Sequence, residues 1–88
     1  MTYRVELTDT AKKQLKKMDK HTAALIIGWM RKNLEGCENP RVFGKGLTAN
    51  RSGQWRYRIG DYRLIAEIEE DRIVILILSI SHRRDIYS

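Results

Sequence analysis

Apolar and polar residues alternate in the opening stretch TYRVEL, residues 2–7. This predicts a strand with Tyr3, Val5 and Leu7 on one face. The period then changes. Ala11, Leu15 and Met18 fall at helical spacing, and Thr8 or Asp9 can supply the cap, so a helix is expected over about residues 9–18. Lys12, Lys13, Lys16 and Lys17 line its other side as a solvated face. The pattern breaks at 19–22. It resumes as a second helix over about 22–35, with Ala23, Ile26, Ile27, Met30 and Leu34 inward and Gly36 at its C-terminal end. Trp29 lies off that stripe and reads as core filler in the crevice between the helices, with a partner surface as the alternative. Residues 36–53 are rich in Gly and Asn and read as a long connection, anchored to the core by Val42, Phe43 and Leu47.

Two further strands are predicted on either side of Gly60-Asp61, in the stretch WRYRIGDYRLIAEI, residues 55–68. A two-residue turn there pairs Ile59 with Tyr62 and Arg58 with Arg63. Alternation then sends Trp55, Tyr57, Ile59, Tyr62, Leu64 and Ala66 to a core face. Arg56, Arg58, Arg63, Ile65 and Glu67 take the other. After the acidic turn Glu69-Glu70-Asp71, residues 73–80 (IVILILSI) are apolar throughout, as expected of a strand covered on both faces. The element order is β-α-α-β-β-β in one domain over residues 1–88. The predicted class is α+β, with two N-terminal helices packed on a curved, mainly antiparallel four-stranded sheet.

Charge sharpens this picture. Seventeen Lys and Arg against eleven Asp and Glu give a net charge of +6, an excess that favours a polyanionic partner. The single cysteine, Cys37, excludes an internal disulfide and a cysteine metal cage, and nothing beside it in sequence would activate its thiol. His21 and His82 are far apart and the acidic residues are scattered, so no metal site and no cofactor are expected. The eight apolar residues AALIIGWM are too few to span a membrane and carry no cleavage site. The expected location is the cytoplasm. The glycines around Lys45 lack phosphate-loop spacing.

The chemistry is therefore sought among cations and aromatics. Two arginines directly opposite each other on a sheet repel, and an anionic ligand relieves that repulsion. If the last strand returns its C-terminal end to the hairpin, Arg83 and Tyr87 approach the face that holds Arg58 and Arg63. Guanidiniums, a phenol and an imidazole with little carboxylate suit one reaction that needs no cofactor. The 2′-hydroxyl of RNA attacks its own adjacent phosphate while cations hold the dianionic transition state. Arginine clamps phosphate but never gives up its proton. Tyr87 and His82 remain as candidates for proton transfer. Arg56, Arg58, Lys45, Arg51 and Arg84 are candidates for binding phosphate.

The hairpin motif R-x-G-D-Y-R at 58–63, the connection NPRVFGKGL at 39–47 and H-R-R-x-x-Y at 82–87 resemble the RelE/ParE toxin superfamily, and within it the RelE-type toxins that cleave mRNA. The N-terminal strand and the lysine-rich first helix fit as well. The resemblance implies a microbial RNase/RelE-like fold and a ribosome-dependent endoribonuclease that cuts mRNA in the A site. It also implies a cognate RelB-like antitoxin, acidic and bound through a helical segment. Arg63 and Arg83 match the family's catalytic arginines, Tyr87 matches its C-terminal tyrosine, and His82 matches a histidine common in related branches. Arg56 and Arg58 stand where founding members carry lysines, so no base role carries over to them. A ParE-like relative that binds and inhibits DNA gyrase, or an inactive RNA-binding relative, is the alternative.

Overall fold

The computed structural model describes residues 1–46 and 54–86, with no side-chain description at 85 and 86. The chain runs β1 (Arg4–Leu7), α1 (Asp9–Lys17), α2 (Lys20–Asn33), β2 (Lys45–Gly46), β3 (Gln54–Ile59), β4 (Tyr62–Glu69), β5 (Val74–His82) and a short α3 (Arg83–Ile86). The strands form one sheet in the order β1-β5-β4-β3-β2. Among the described residues only β1 and β5 pair in parallel. This is the expected α+β class with five strands in place of four. The added strand, β2, has only two residues, one of them a glycine, and no apolar alternation. A Cβ on Gly46 would stand 3.2 Å from the Trp55 indole, a tight contact that glycine avoids where the chain crosses that ring.

Local chemistry accounts for the boundaries. The Thr8 hydroxyl caps α1 by accepting from the Ala11 N–H, and the Asp19 carboxylate caps α2 by accepting from the Thr22 N–H. The Asp19 cap starts α2 at Lys20, two residues ahead of the expected start. Gly36 takes φ +81°, which turns the chain so that its N–H donates to the Tyr3 carbonyl. β5 begins at Val74, one residue later than expected, because Ile73 sits at φ +55°. That is a rare conformation for a β-branched side chain.

Both helices cover one face of the sheet. Ala11 and Leu15 from α1, with Ile26 and Met30 from α2 and Leu34 just beyond it, are buried against Tyr57, Leu64, Ala66, Ile75, Ile77 and Ile80. Trp29 packs against the core, as expected of a core filler. Its ring packs on Tyr57 and edge-on to Phe43, at centroid distances of 5.7 and 5.8 Å, and so ties α2 to the sheet and to the connection. Val42 is 68% exposed and anchors nothing. Pro40 is the anchor instead, fully buried, with its carbonyl accepting from the Tyr57 hydroxyl at 2.6 Å. Leu47 lies outside the described residues.

The β4–β5 ladder changes register once. Glu69 to Ala66 pair with Val74 to Ile77, whereas Ile65 to Tyr62 pair with Ser79 to His82. Leu78 is the extra residue of a bulge, which exchanges the two faces of β5 beyond it. This is why the buried isoleucines run 75, 77 and then 80.

Candidate phosphate-binding cleft

Gly60 takes φ +58°, as the first central residue of a tight hairpin requires, and the register follows as read from the sequence. Ile59 stands opposite Tyr62, Arg58 opposite Arg63, and Arg56 opposite Ile65. β2 adds Lys45 directly opposite Arg56. Two cationic rungs, Lys45–Arg56 and Arg58–Arg63, thus share the face of the sheet that the helices leave uncovered. Gly44, Lys45, Arg56, Arg58 and Arg63 line a cleft of about 240 Å³. Gly44 is required there. It has φ +78°, and a Cβ would fall 2.1 Å from the Arg56 carbonyl oxygen.

The Leu78 bulge completes this face with hydroxyls. Ser79 stands opposite Ile65, and Ser81 opposite Arg63. Sequence reading missed both serines, because a continuous apolar run hides the change of face. The last strand brings its C-terminal end to the hairpin as expected, and Arg83 lies at the hairpin tip. Its N–H donates to the Asp61 carbonyl at 2.7 Å, and its guanidinium lies 4.0 Å from the Asp61 carboxylate. Asp61, read from sequence only as a turn residue, therefore docks the segment that carries Arg83. Arg84 is exposed beside it.

His82 is not brought into the cleft. It pairs with Tyr62 on the opposite face, where the two rings meet edge-on at 5.0 Å. Its Nδ1 accepts from the Arg84 N–H, so in this arrangement the imidazole secures the start of α3. The bulge is the cause: without it, even-numbered residues of β5 beyond Ile77 would face the arginines. Tyr87 and Arg51 lie outside the described residues.

Among the described residues Glu6, Glu69 and Glu70 are paired away from the cleft, whereas Glu67 shares the face of the arginines. Glu6 and Glu69 pair with Arg72, Glu6 also with Arg4, and Glu70 with Arg41, all around the far end of β4, the turn after it and β1. Hydrogen bonding to Arg4, followed by the charge of Arg72, holds the Glu6 carboxyl below its ordinary range. Burial pushes the Cys37 thiol up, which leaves it a poor nucleophile. Among the described residues no three His, Cys, Asp or Glu side chains come together to hold a metal ion. None of the described helices is long and apolar enough to cross a membrane.

Residues 5–87 match the family described as ParE toxin of type II toxin-antitoxin system, parDE. The chain belongs to the RelE/ParE superfamily of type II toxins. Toxin RelG of Mycobacterium tuberculosis is 32% identical over 87 residues, covering 99% of this chain and 98% of that protein. A chain of the toxin-antitoxin complex RelBE2 from the same organism superposes with a TM-score of 0.83 at 29% identity, over 94% of this chain and all of that one. The archaeal RelE-RelB complex of Pyrococcus horikoshii contains a chain that matches with a TM-score of 0.72 at 30% identity, over 94% of this chain and 97% of that one. This RelE-like toxin shares with those chains the fold in which two helices cover one face of the sheet.

Proposed function

We propose that this toxin is an endoribonuclease that cuts mRNA in the ribosomal A site without a cofactor. The observation that carries the reading is the pair of opposed rungs, Lys45–Arg56 and Arg58–Arg63, lining one cleft. Opposed cations on one sheet face suit a phosphodiester, whose oxygens they can hold as a clamp. In the proposed reaction the 2′-oxygen attacks phosphorus and the bond to the 5′-oxygen breaks. The 2′-proton leaves to a base and the 5′-oxygen gains a proton. The products are a 2′,3′-cyclic phosphate and a 5′-hydroxyl.

Arg63 and Arg83 stabilise the dianionic transition state, and Arg56, Arg58 and Lys45 position the strand. Arg51 and Arg84 add phosphate contacts. Tyr87 moves protons. The placement of His82 against Tyr62 favours a supporting role for it over direct proton transfer. A RelB-like antitoxin is the natural partner, since RelE proteins of this fold have been solved with RelB. An acidic helical segment of it would neutralise the cleft. The site of action is the cytoplasm.

The test is cleavage of a defined mRNA on purified, programmed ribosomes, with chemical identification of the ends. Cyclic phosphate at the A-site codon supports the reading. The family description as a ParE toxin favours one competing outcome: intact mRNA together with inhibited gyrase supercoiling would place the protein with ParE-like poisons.

A further inference from the structure

β1 ends at Leu7, opposite Ile77, and leaves the outer edge of β5 open just where β5 bulges. Thr8, which caps α1, and Gln14, within α1, close that edge. The Thr8 N–H donates to the Ile77 carbonyl at 3.1 Å. The Thr8 hydroxyl lies 2.9 Å from the Leu78 carbonyl and 3.1 Å from that of Ile77, with one proton to share between them. Further along, the Gln14 side-chain carbonyl accepts from the Ile80 N–H at 2.6 Å. An amide side chain thus replaces the backbone acceptor that a longer β1 would have offered.

What this latch holds is the register of the cleft wall. Beyond the bulge, Ser81 faces Arg63, and the same register continues to the bond between Arg83 and Asp61. Without the extra residue, Ile80 would stand opposite Arg63, Ser79 would turn toward Leu64 in the core, and His82 would move to the arginine face. A one-residue slip exchanges the two faces of a strand, and this one would also shift Arg83 along the hairpin by about 3.4 Å.

We infer that Thr8 and Gln14 are positioning residues of the cleft: they lock the Leu78 bulge and so fix Ser81 and Arg83 against Arg63. The inference rests on the ribonuclease reading only for its effect on rate. The test compares wild type with Gln14→Leu, which removes the acceptor at similar volume, and with Gln14→Glu, which keeps an acceptor oxygen. Thr8→Ser is a second conservative control, because it retains both the latch and the helix cap. Backbone NMR reads the register directly, through Ile80 amide exchange and the cross-strand contact of Ser81 with Arg63. Single-turnover cleavage on ribosomes, at a temperature where each variant is fully folded, reads the consequence.

Gln14→Leu is expected to expose the Ile80 amide to exchange, to weaken the Ser81–Arg63 contact and to slow cleavage at least tenfold. Ribosome affinity should stay within about twofold, and Gln14→Glu and Thr8→Ser should restore most of the rate. A folded Gln14→Leu with the wild-type contact and rate overturns the inference. Should that variant fail to fold, Gln14→Ser, which shortens the side chain without adding apolar bulk, is judged by the same two readouts. If wild type itself cuts no RNA, the ribonuclease reading fails, and the NMR register still decides whether the latch exists.

Discussion

The Tyr57 hydroxyl offers a perturbation of one atom. It donates to the Pro40 carbonyl at 2.6 Å, and both residues are fully buried. Tyr57→Phe keeps the ring against Trp29 and strands the carbonyl without its donor. A buried acceptor left unmade costs about 1–3 kcal/mol. In a domain of this size each kcal/mol lowers Tm by about 4–8 °C. The same hydroxyl predicts an alkaline limb. Burial is the main cause that raises the Tyr57 phenol well above its ordinary value, with the neighbouring Cys37 adding to it and Arg41 opposing it. The folded state therefore holds the proton after the unfolded chain has released it. The sign is that stability is intact below about pH 10 and is lost as pH rises further, at no more than about 1.4 kcal/mol per pH unit for one group. Urea unfolding of wild type and Tyr57→Phe at pH 7, 10 and 11 checks both parts. The gap between the two proteins should be widest at pH 7 and narrow above pH 10. Equal stability at pH 7, or curves that stay parallel to pH 11, would refute the assignment of this hydroxyl as the tie between β3 and the connection.

Arg63→Ala is expected to cost about 3–4 kcal/mol of transition-state stabilisation, a factor of ~10²–10³ in single-turnover cleavage, by analogy with single oxyanion donors. Arg63→Lys should recover only part of this, since the planar fork is lost. Tyr87→Phe should slow the same step by ~10²-fold with ribosome binding intact, while His82→Ala should act mainly on the stability of the C-terminal segment. Gly44→Ala places a Cβ against the Arg56 carbonyl and should displace β2, weakening RNA binding and lowering Tm together. At the acid end, the Asp19 carboxyl is held low by its bonds to Thr22, and Glu6 by Arg4 and Arg72. Stability from these groups is present above their unfolded pKa values near 4 and is lost as pH falls through the lower folded values. Asp19→Asn should flatten that limb in urea titrations.

Much of the site was legible because hairpin arithmetic is rigid. Once Gly60-Asp61 is taken as the turn, Arg58 must meet Arg63 and Tyr57 must point to the core. The helices were legible for the same kind of reason: within 11–18 and again within 23–34 the apolar positions repeat at helical spacing. What escaped lacks such a signal. The strand Lys45–Gly46 has no apolar position to mark it, and its course depends on the tight approach of Gly44 to the Arg56 backbone. In IVILILSI every residue is apolar or small, so parity cannot be counted through it. The bulge at Leu78, the serines on the arginine face and the opposite facing of His82 all follow from that one invisible residue. The anchor at Pro40 escaped because hydrophobicity alone favours Val42, whereas the structure rewards a carbonyl that Tyr57 can reach.

The central claim is that the two arginine-bearing rungs clamp a phosphodiester on the ribosome for cleavage. Mapping transcript 5′ ends shortly after induction of the toxin, beside an Arg63→Ala control, tests it most directly. The account predicts new 5′-hydroxyl ends inside coding regions, in phase with the reading frame, that disappear in the control. Intact transcripts under arrested growth, or cuts that ignore the frame and persist in Arg63→Ala, would contradict it.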